Sequence, residues 1–381
     1  MGSLATIEKD IEHRNFINYM INLSVRGLEG MFDAKNQLFC YRTIKRGHGV
    51  HNEGLSLRYT IISLMGLHMF EVCGGKSNID NRKVFSSLLE KWNQLDNIGD
   101  VGLLLWLCSL VEPKKAVFIF NKLRVKYLMK IHKDAVDGRT MELSWLLTGL
   151  TYLSSTETIY KKDLKVLTEE TYKNLLNNYR GMGIFGHGKK YIYPSGFRSR
   201  IGSFADQVYP IYALSKYSTV FGDKNAIEIG LKCGESICRS QGELGQWWWH
   251  YDADSGRVIG KYPVFSVHQD GMAPMALFAL EKAAGKDFSV HVKKGLHWIT
   301  GNNELNVNMI DEPRNAIWRS MYLKKYFAYK YELLSLSNLE SHVEYRNLNV
   351  LYETRPYHFG WLLYALCNIN NTGKEYLLIQ K

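Results

Sequence analysis

Leu277-Phe-Ala-Leu280 and Leu363-Tyr-Ala-Leu366 belong to a set of six short apolar stretches that decide the fold of this chain. Each stretch closes a helix-length apolar run that begins at a polar or glycine-containing break. The other four are Leu64-Met-Gly-Leu67, Leu107-Cys-Ser-Leu110, Leu147-Thr-Gly-Leu150 and Ile211-Tyr-Ala-Leu214. Around and between them lie amphipathic runs, in which apolar residues are fewer and form a stripe on one side of a helix. These runs are at about 6–30, 78–95, 114–133, 160–178, 223–240 and 284–299.

This alternation of a lightly striped helix with a more uniformly apolar one predicts six helical hairpins in a closed ring. Inner helices of such a ring touch neighbours on both sides and lose polar residues, whereas outer helices keep one face in water. Stacking buries apolar faces that a single repeat cannot bury alone. We therefore predict an all-α fold, an (α/α)6 toroid. The alternative is an irregular helical domain whose leucine-rich helix ends coincide.

Length and composition indicate one large domain that spans residues 1–381. No linker rich in Pro, Ser or Gly divides the 381 residues, although an insertion at about 302–353 precedes the last inner helix. Neither a signal-peptide pattern nor a membrane-spanning apolar stretch is present, so we expect a soluble, cytoplasmic protein. The six cysteines form no CxxC pair, which predicts buried free thiols rather than disulfides or a zinc site.

The formal net charge of +11 is compatible with an anionic partner. We expect no nucleic-acid partner, because the sequence contains no helix-turn-helix, RNA-binding signature or dense basic tract. Two basic loops, at 42–48 and 186–200, are better candidates for a local site. Each loop directly precedes a predicted inner helix, which places it at one mouth of the ring.

Polar residues gather at the start of the predicted inner helices. If these helices run in one direction, their first turns meet at the same mouth. Counting back from each closing leucine places carboxylates and a histidine in these turns, namely Asp100, Glu142, Asp206, Asp270 and His358. Any one of the carboxylates also fits a helix cap, since acidic residues favour helix N-termini.

Two of these starts carry more hydrogen-bonding groups than a cap needs. Gly202-Ser-Phe-Ala-Asp-Gln-Val-Tyr-Pro210 contains Gln207 beside its Asp, and Ser266-Val-His-Gln-Asp-Gly-Met-Ala-Pro274 contains His268 and Gln269. Further candidates for substrate binding at the mouth are Glu53, Arg200, Arg355 and Tyr357.

The strongest local feature is Gln246-Trp-Trp-Trp-His-Tyr-Asp252. One ordinary helix or strand cannot bury three adjacent tryptophans, so we expect at least one to line a cavity. Flat aromatic faces suit sugar rings or a hydrocarbon chain. The candidate binding residues here are Trp247, Trp248, Trp249 and Tyr251. The following Asp-Ala-Asp-Ser-Gly lacks the spacing of a calcium loop, so we assign no metal and no cofactor.

The region from 241 to 280 resembles the six-hairpin glycosidases and their relatives, among them unsaturated uronyl hydrolases, sugar 2-epimerases and toroid polysaccharide lyases. The resemblance rests on Gly245-Gln-Trp-Trp-Trp-His-Tyr-Asp252, then Ser266-Val-His-Gln-Asp270 and Met275-Ala-Leu-Phe-Ala-Leu280. In those proteins an aromatic segment that ends in an Asp turn precedes an inner helix with polar residues at its start. The resemblance implies a toroid that acts on carbohydrate.

A second resemblance is to the terpenoid cyclase and prenyltransferase toroids. Gln241-Gly-Glu-Leu-Gly-Gln-Trp247 fits their Q-x-x-x-G-x-W pattern once. Their protonating Asp-x-Asp-Asp motif and their diphosphate-binding Asp-Asp-x-x-Asp motif are missing. This resemblance implies an apolar, aromatic-lined cavity for an isoprenoid.

The leading hypothesis is a glycoside hydrolase, lyase or epimerase that acts on an anionic, uronate-containing oligosaccharide by acid–base chemistry. For a hydrolase, Asp206 and Asp270 are the expected pair, with Glu142 as substitute. A carboxyl separation of about 5 Å would indicate retention of configuration, and one of roughly 6.5–9.5 Å inversion.

For a lyase or epimerase, His268, Tyr357 or His358 would transfer the proton, and Arg200 or Arg355 would stabilise the anion. Two alternatives remain open from the sequence. One is an isoprenoid cyclase or prenyl-binding toroid. The other is a glycan-binding toroid without catalysis.

Overall fold

The computed structural model describes residues 4–95, 97–134, 138–156, 161–188, 197–324 and 344–371. Within these ranges twelve long helices account for most of the chain. They are α1 Leu4–Met31, α2 Leu57–Val72, α3 Asn81–Glu90, α4 Ile98–Val111, α5 Pro113–Asp134, α6 Thr140–Thr156, α7 Lys161–Leu176, α8 Ala205–Phe221, α9 Lys224–Arg239, α10 Ala273–Ala284, α11 Ser289–Ile299 and α12 Pro356–Asn371. The prediction of an all-α fold is confirmed.

The even-numbered helices form a closed inner ring. Helix α2 packs on α4, and each even-numbered helix packs on the next until α12 returns to α2. Odd-numbered helices lie outside, with α3, α5, α7 and α9 each packed on the inner helix that precedes it, while α1 packs on α12. This is the (α/α)6 toroid that the sequence predicts, and it brings the first turns of the inner helices to one mouth.

Burial explains why the inner helices are so apolar. In α4, every residue from Gly99 to Ser109 is buried, so no side of the helix is exposed to solvent along this stretch. Outer helix α9 instead buries one side, including Ile229, Cys233 and Ile237, and exposes charged residues on the other. Burial of apolar surface against both neighbours is the main term that holds the ring together.

Glycines allow the inner helices to approach closely. A Cβ atom on Gly66 of α2 would overlap the carbonyl oxygen of Gly360 in α12. A Cβ atom on Gly102 of α4 would overlap the backbone of Leu146 in α6 in the same way. Because both positions lie at helix–helix crossings, backbone contact replaces side-chain contact there.

Aromatic side chains from four inner helices fill the ring axis below the mouth, and we call them the aromatic column. Trp106 stacks on Tyr212 and contacts Trp361, with ring centroids 4.9 and 5.6 Å apart. The hydroxyl groups of Tyr152, Tyr212 and Tyr364 bond one another at 2.8–3.1 Å. The toroid therefore has a packed centre rather than an open channel along its axis.

Short strands lie between the helices at the mouth of the ring. They are β1 Phe32–Asp33, β2 Leu38–Arg46, β3 Gly49–Leu55, β4 Ile201–Ser203, β5 His250–Asp252, β6 Val258–Gly260, β7 Val264–Phe265, β8 Ile310–Asp311, β9 Ala316–Ile317, β10 Ser320–Leu323, β11 Leu348–Leu351 and β12 Glu353–Thr354. The longest pair is the β2–β3 hairpin, in register at Arg42↔Glu53, and β12 pairs with β2 on its other side.

The expected insertion at 302–353 contains β8 to β12. Strands β8 and β9 form a small hairpin, and β10 joins β11 to β7 in a sheet. Residues 325–343 of the insertion and 189–196 of the second basic loop lie outside the described residues. The described helices include none that is long and apolar enough to cross a membrane. All six cysteines are described, and their thiols are free.

Candidate active site

The first turns of α2, α4 and α6 bring an arginine and two carboxylates close together. Asn97 caps α4 by accepting hydrogen bonds from the backbone N–H groups of Gly99 and Asp100. Because the amide of Asn97 satisfies these donors, the Asp100 side chain is free to bind Arg58 of α2. Nε and Nη2 of Arg58 donate to its two oxygens at 2.5 and 3.0 Å.

Glu142 of α6 completes this group. A Cβ atom on Gly99 would lie 2.9 Å from the Cα atom of Glu142, so the two first turns are in contact. Glu142 pairs with Arg139 at 3.5 Å, and the side chains of Asp100 and Glu142 are each 12% exposed. Burial lowers the pKa of Arg58, but the hydrogen bond and charge of Asp100, with Glu142, outweigh it and raise that pKa overall.

Three neighbouring tyrosine rings line the mouth beside Arg58. The ring of Tyr59 lies 5.5 Å from that of Tyr41 and 4.7 Å from that of Tyr357. Nη1 of Arg355 donates to the Tyr59 hydroxyl at 2.8 Å. Burial, with the neighbouring Tyr357, raises the pKa of Tyr59 to about 12 despite this contact, so the phenol stays protonated at neutral pH.

Arginines from three elements surround the buried carboxylate of Glu353. Arg355, Arg319 and Arg42 lie 2.6, 2.8 and 3.2 Å from its oxygens. Burial raises the pKa of Glu353, but the hydrogen bonds and charges of these arginines prevail and lower it overall. Arg42 also binds Glu53 at 2.7 Å, and Arg46 binds the other oxygen of Glu53 at 2.6 Å.

A buried dyad of His358 and Asp270 lies deeper in the mouth. Nε2 of His358 is 2.7 Å from Oδ1 of Asp270, and Oδ2 of Asp270 has no hydrogen-bond partner among the described residues. Asp270 lies in a π-helical turn, His268–Met272, that precedes α10. Burial raises the pKa of Asp270, and the nearby His358 opposes that rise.

His268 lies in an aromatic nest next to this dyad. Its ring lies 4.6 Å from that of Phe204 and 5.1 Å from that of Phe265, and it is stacked at 5.9 Å on Trp249. Burial, then electrostatic interactions with Arg319 and His358, lower its pKa to about 3. The imidazole is therefore neutral at physiological pH.

The structure places Asp206 in a capping box at the start of α8. Its Oδ2 accepts hydrogen bonds from the backbone N–H and the hydroxyl of Ser203 at 2.8 and 2.9 Å. The Ser203 hydroxyl accepts in return from the Asp206 N–H at 3.3 Å. The carboxylate is 1% exposed and also lies 3.2 Å from Nδ1 of His187. Ser203 is thus the capping partner of Asp206, and His187 is a further partner outside the cap.

Both glutamines bind backbone groups beneath the mouth. Oε1 of Gln207 accepts from the Phe185 N–H at 2.8 Å, and Nε2 donates back to the Phe185 carbonyl at 2.9 Å. Oε1 of Gln269 accepts from the Trp247 N–H at 3.3 Å, and its Nε2 donates to the Phe265 carbonyl at 3.1 Å. Each side chain fixes a neighbouring loop.

Of the aromatic triplet, Trp247 and Trp248 are buried and Trp249 is half-buried. Trp247 stacks on Phe204, while Tyr251 is fully buried. Trp249 is thus the member of the triplet that contacts the dyad region, through His268. Arg200 is paired with Asp252 at 3.2 Å in the small β4–β5–β6 sheet.

The structure therefore gathers Glu142, Tyr357, Arg355, His358 and Asp270 at the mouth and adds residues to which the sequence analysis gave no catalytic or binding role. Those residues are Tyr41, Arg58, Tyr59 and Asp100. Two of them carried a sequence signal, since Tyr59 and Asp100 occupy early turns of inner helices. Among the described residues, no group of three or more His, Cys, Asp or Glu side chains is arranged to hold a metal ion.

No protein-family model and no curated protein sequence matches this chain. Solved structures do resemble it. A heparin-specific unsaturated glucuronyl hydrolase has a TM-score of 0.62 at 12% identity, over 95% of this chain and 99% of that chain. Cellobiose 2-epimerase from Bacillus thermoamylovorans has a TM-score of 0.62 at 10% identity, over 93% and 99%. A family 88 glycosyl hydrolase from Bacteroides vulgatus has a TM-score of 0.58 at 12% identity, over 93% and 97%.

At these identities the likeness shows the fold alone, and it confirms the resemblance to the six-hairpin glycosidase group. The structures named above give the isoprenoid alternative no support. The Q-x-x-x-G-x-W segment itself stabilises a loop, because Nε2 of Gln241 donates to the carbonyls of Gly245 and His291 at 3.0 and 2.9 Å. Its Trp247 belongs to the core.

Proposed function

We propose that this protein is a carbohydrate-active enzyme that cleaves or rearranges a uronate-containing oligosaccharide by general acid–base catalysis. The observation that carries the proposal is the group of Asp100, Arg58 and Glu142 on three adjacent inner helices. Its two carboxylates remain partly exposed at a mouth that is lined with tyrosines and arginines. Such an arrangement offers both proton transfer and a sugar-binding surface.

In hydrolysis the two carboxyl groups would take different roles because their partners differ. Arg58 occupies both oxygens of Asp100, which fixes that carboxylate as a base or charge stabiliser. Among the described residues, Glu142 has one ion pair, longer than that of Asp100 and made to an exposed arginine, so its carboxyl group is freer to approach the glycosidic oxygen. We assign proton donation to Glu142 and activation of water, or stabilisation of the cationic sugar, to Asp100.

The dyad supplies a second route, in which a proton is removed from a sugar carbon beside a carbonyl or carboxylate. Asp270 is buried behind His358 and accepts its hydrogen bond, the usual way to orient a catalytic imidazole. In a lyase or epimerase, His358 would transfer the proton while Arg355 and Tyr59 bind the resulting anion. His268, neutral and enclosed, would position Trp249.

The substrate class follows from the surfaces around these groups. Tyr41, Tyr59 and Tyr357 present aromatic faces that suit sugar rings, and the neighbouring arginines suit carboxylates. The proposal keeps a small oligosaccharide as substrate, with neither nucleic acid nor a redox cofactor, and a cytoplasmic location, which the free thiols support.

A substrate panel tests the proposal. Purified protein is incubated with an unsaturated uronyl disaccharide, its saturated counterpart and cellobiose, and products are identified by NMR. Loss of the ultraviolet absorbance of the unsaturated uronate would report hydrolysis. We expect turnover of a uronate sugar in preference to cellobiose. Binding without turnover would instead support a non-catalytic glycan-binding toroid, and neither binding nor turnover would reject the proposal.

A further inference from the structure

Two cysteines that are far apart in the sequence lie side by side in the fold. Cys73 is the C-cap of α2, and Cys367 lies in α12, the neighbouring inner helix. Sγ of Cys73 donates a hydrogen bond to the carbonyl oxygen of Cys367 at 3.1 Å, across 294 positions of sequence. Both thiols are free, and the acid–base groups at the mouth do not include them.

The helix crossing explains why these two residues meet. Gly66 and Gly360 touch where α2 crosses α12, since a Cβ atom on either glycine would overlap the backbone of the other helix. Each cysteine lies seven residues, about two helical turns, beyond the glycine of its own helix. Because both helices start at the mouth and run in the same direction, equal steps from the crossing keep Cys73 and Cys367 level on facing sides of the two helices.

Solvent reaches the two thiols to different extents. Of the six cysteines, all of which the structure describes, Cys73 alone is half-buried. Its neighbours Val72 and Gly74 are exposed, whereas Cys367 is 1% exposed. A dissolved oxidant therefore reaches the sulfur of Cys73, while that of Cys367 is covered.

The surroundings of Cys73 also favour its ionised form. A hydrogen bond from the Cys367 thiol lowers the pKa of Cys73 to about 7, against the opposing effect of burial. The same hydrogen bond, with burial, raises the pKa of Cys367. Burial also raises the pKa of the other four thiols, those of Cys40, Cys108, Cys233 and Cys238. Since the thiolate is the nucleophile, Cys73 is the most reactive thiol of the chain.

We infer that Cys73 and Cys367 are a redox-active pair, which a hydroperoxide converts into a disulfide between α2 and α12. The Cys73 thiolate attacks one oxygen of hydrogen peroxide, so an S–O bond forms, the O–O bond breaks and the hydroxide that leaves takes up a proton to become water. Cys73 is thereby oxidised to a sulfenic acid, and the peroxide is reduced.

Cys367 completes the reaction. Its thiol loses its proton and its sulfur attacks the sulfur of Cys73, so the S–S bond forms, the S–O bond breaks and the hydroxide leaves with that proton as water. Two thiols and one hydrogen peroxide give one disulfide and two water molecules. Reversible disulfides of this kind are typical of redox-sensing sites in reducing compartments.

The disulfide would fasten the first inner helix of the ring to the last one. A cross-link between residues so far apart in sequence removes much of the freedom of the unfolded chain. The oxidised protein should therefore be more stable than the reduced protein. This inference is independent of the proposed function, because it concerns the two thiols and no sugar.

Thiol counting and peptide mapping test the inference on the full-length protein. The reduced protein is treated with one equivalent of hydrogen peroxide, denatured in N-ethylmaleimide and analysed by mass spectrometry without reductant. In the wild type we expect the loss of two thiols and a peptide linked through Cys73 and Cys367, and dithiothreitol should reverse both. Cys73→Ser should keep its thiols, whereas Cys367→Ser should stop at a sulfenic acid that dimedone traps. Cys238→Ser, which removes a buried cysteine of outer helix α9, should form the disulfide as the wild type does.

Thermal unfolding gives a second measurement. Because Cys73 is half-buried, its replacement by serine removes no core side chain. Peroxide should raise the melting temperature of the wild type by about 5 °C and leave that of Cys73→Ser unchanged. A wild-type protein that keeps all its thiols, or that loses as many as Cys73→Ser does, would overturn the inference. Dimedone trapping as complete in the wild type as in Cys367→Ser would also overturn it, since the two sulfurs would then be too far apart to join.

Discussion

Arg58 binds Asp100 through two parallel hydrogen bonds that join the first turns of α2 and α4. Such a two-point contact fixes the plane of the carboxylate as well as its position. Because Glu142 lies in the next first turn, the pair of carboxyl groups is held by the ring of helices rather than by mobile loops. Rigid placement of this kind is what acid–base catalysis requires.

The first prediction concerns this pair. Glu142→Gln and Asp100→Asn should each lower kcat at least about 100-fold, the usual contribution of a general acid or base. Glu142→Gln preserves volume and removes one long ion pair to the exposed Arg139, so its unfolding midpoint in urea should move little. Asp100→Asn also preserves volume but leaves Arg58 without its anionic partner, so its midpoint should fall. The measurement is kcat on the uronate disaccharide, alongside denaturation followed by circular dichroism.

Asp206→Asn is the matched control for that experiment. Because Asp206 serves a capping box, its replacement should cost about 1 kcal/mol of stability and leave kcat within a few-fold of the wild type. The assignment of Asp206 as an acid–base residue stays a prediction from the sequence. Complete loss of turnover in a folded Asp206→Asn protein would decide in favour of that assignment.

The second prediction treats His358 and Asp270 as one unit. If Asp270 acts by orienting His358, then Asp270→Asn and His358→Gln should lower kcat/KM by similar factors, and the double variant should be no worse than His358→Gln. Multiplicative losses in the double variant would show that the two residues act separately. Their unfolding free energies must be measured as well, since both side chains are buried.

The third prediction concerns pH and stability. The folded pKa of His268 is about 3 and the ordinary value is 6.5, so the unfolded chain takes up a proton that the folded chain excludes. Stability from this residue is therefore present above about pH 6.5 and is lost as the pH falls towards 3. At pH 5 the loss should be about 2 kcal/mol.

His268→Phe tests this prediction because the nest of Phe204, Phe265 and Trp249 accepts a neutral ring. The difference in unfolding free energy between pH 7.5 and pH 5 should shrink in the variant relative to the wild type. An unchanged difference would mean that other groups carry the acid sensitivity.

The fourth prediction concerns the helix crossings. Gly66→Ala should destabilise the protein by about 2–3 kcal/mol, because the added methyl group overlaps the carbonyl of Gly360. Gly30→Ala is its matched control, since a Cβ atom there meets nothing within 4 Å and alanine favours the helix. Equal unfolding midpoints for the two variants would contradict the close approach of α2 and α12.

The sequence predicts the inner helices well because a helix that is buried on all sides is made almost entirely of apolar residues. The run that ends at Leu110 is apolar apart from Asp100 and Ser109, and α4 is buried from Gly99 to Ser109. The β2–β3 hairpin has no comparable apolar pattern in its sequence. Its strand residues Arg42, Lys45 and Arg46 are charged and partly exposed, so they read as a basic loop.

The sequence does not predict which residues of different inner helices contact each other, and the reason is a different one. Arg58 and Asp100 are 42 positions apart, and their contact depends on how two inner helices are set side by side. The tryptophan triplet shows the same limit. Trp247 and Trp248 are buried and Trp249 is half-buried because Gln269 and Gln241 hold the loop in place, which a local pattern does not reveal.

The aromatic column has a consequence for how substrate and product would move in the proposed enzyme. Because Trp106, Trp361 and the three bonded tyrosines occupy the axis, we expect the substrate of the proposed enzyme to enter and its product to leave by the same mouth. The product must dissociate before the next substrate can bind, so product and substrate compete for the same mouth. At high product concentration, turnover would then be limited by the rate at which product leaves the mouth and substrate replaces it.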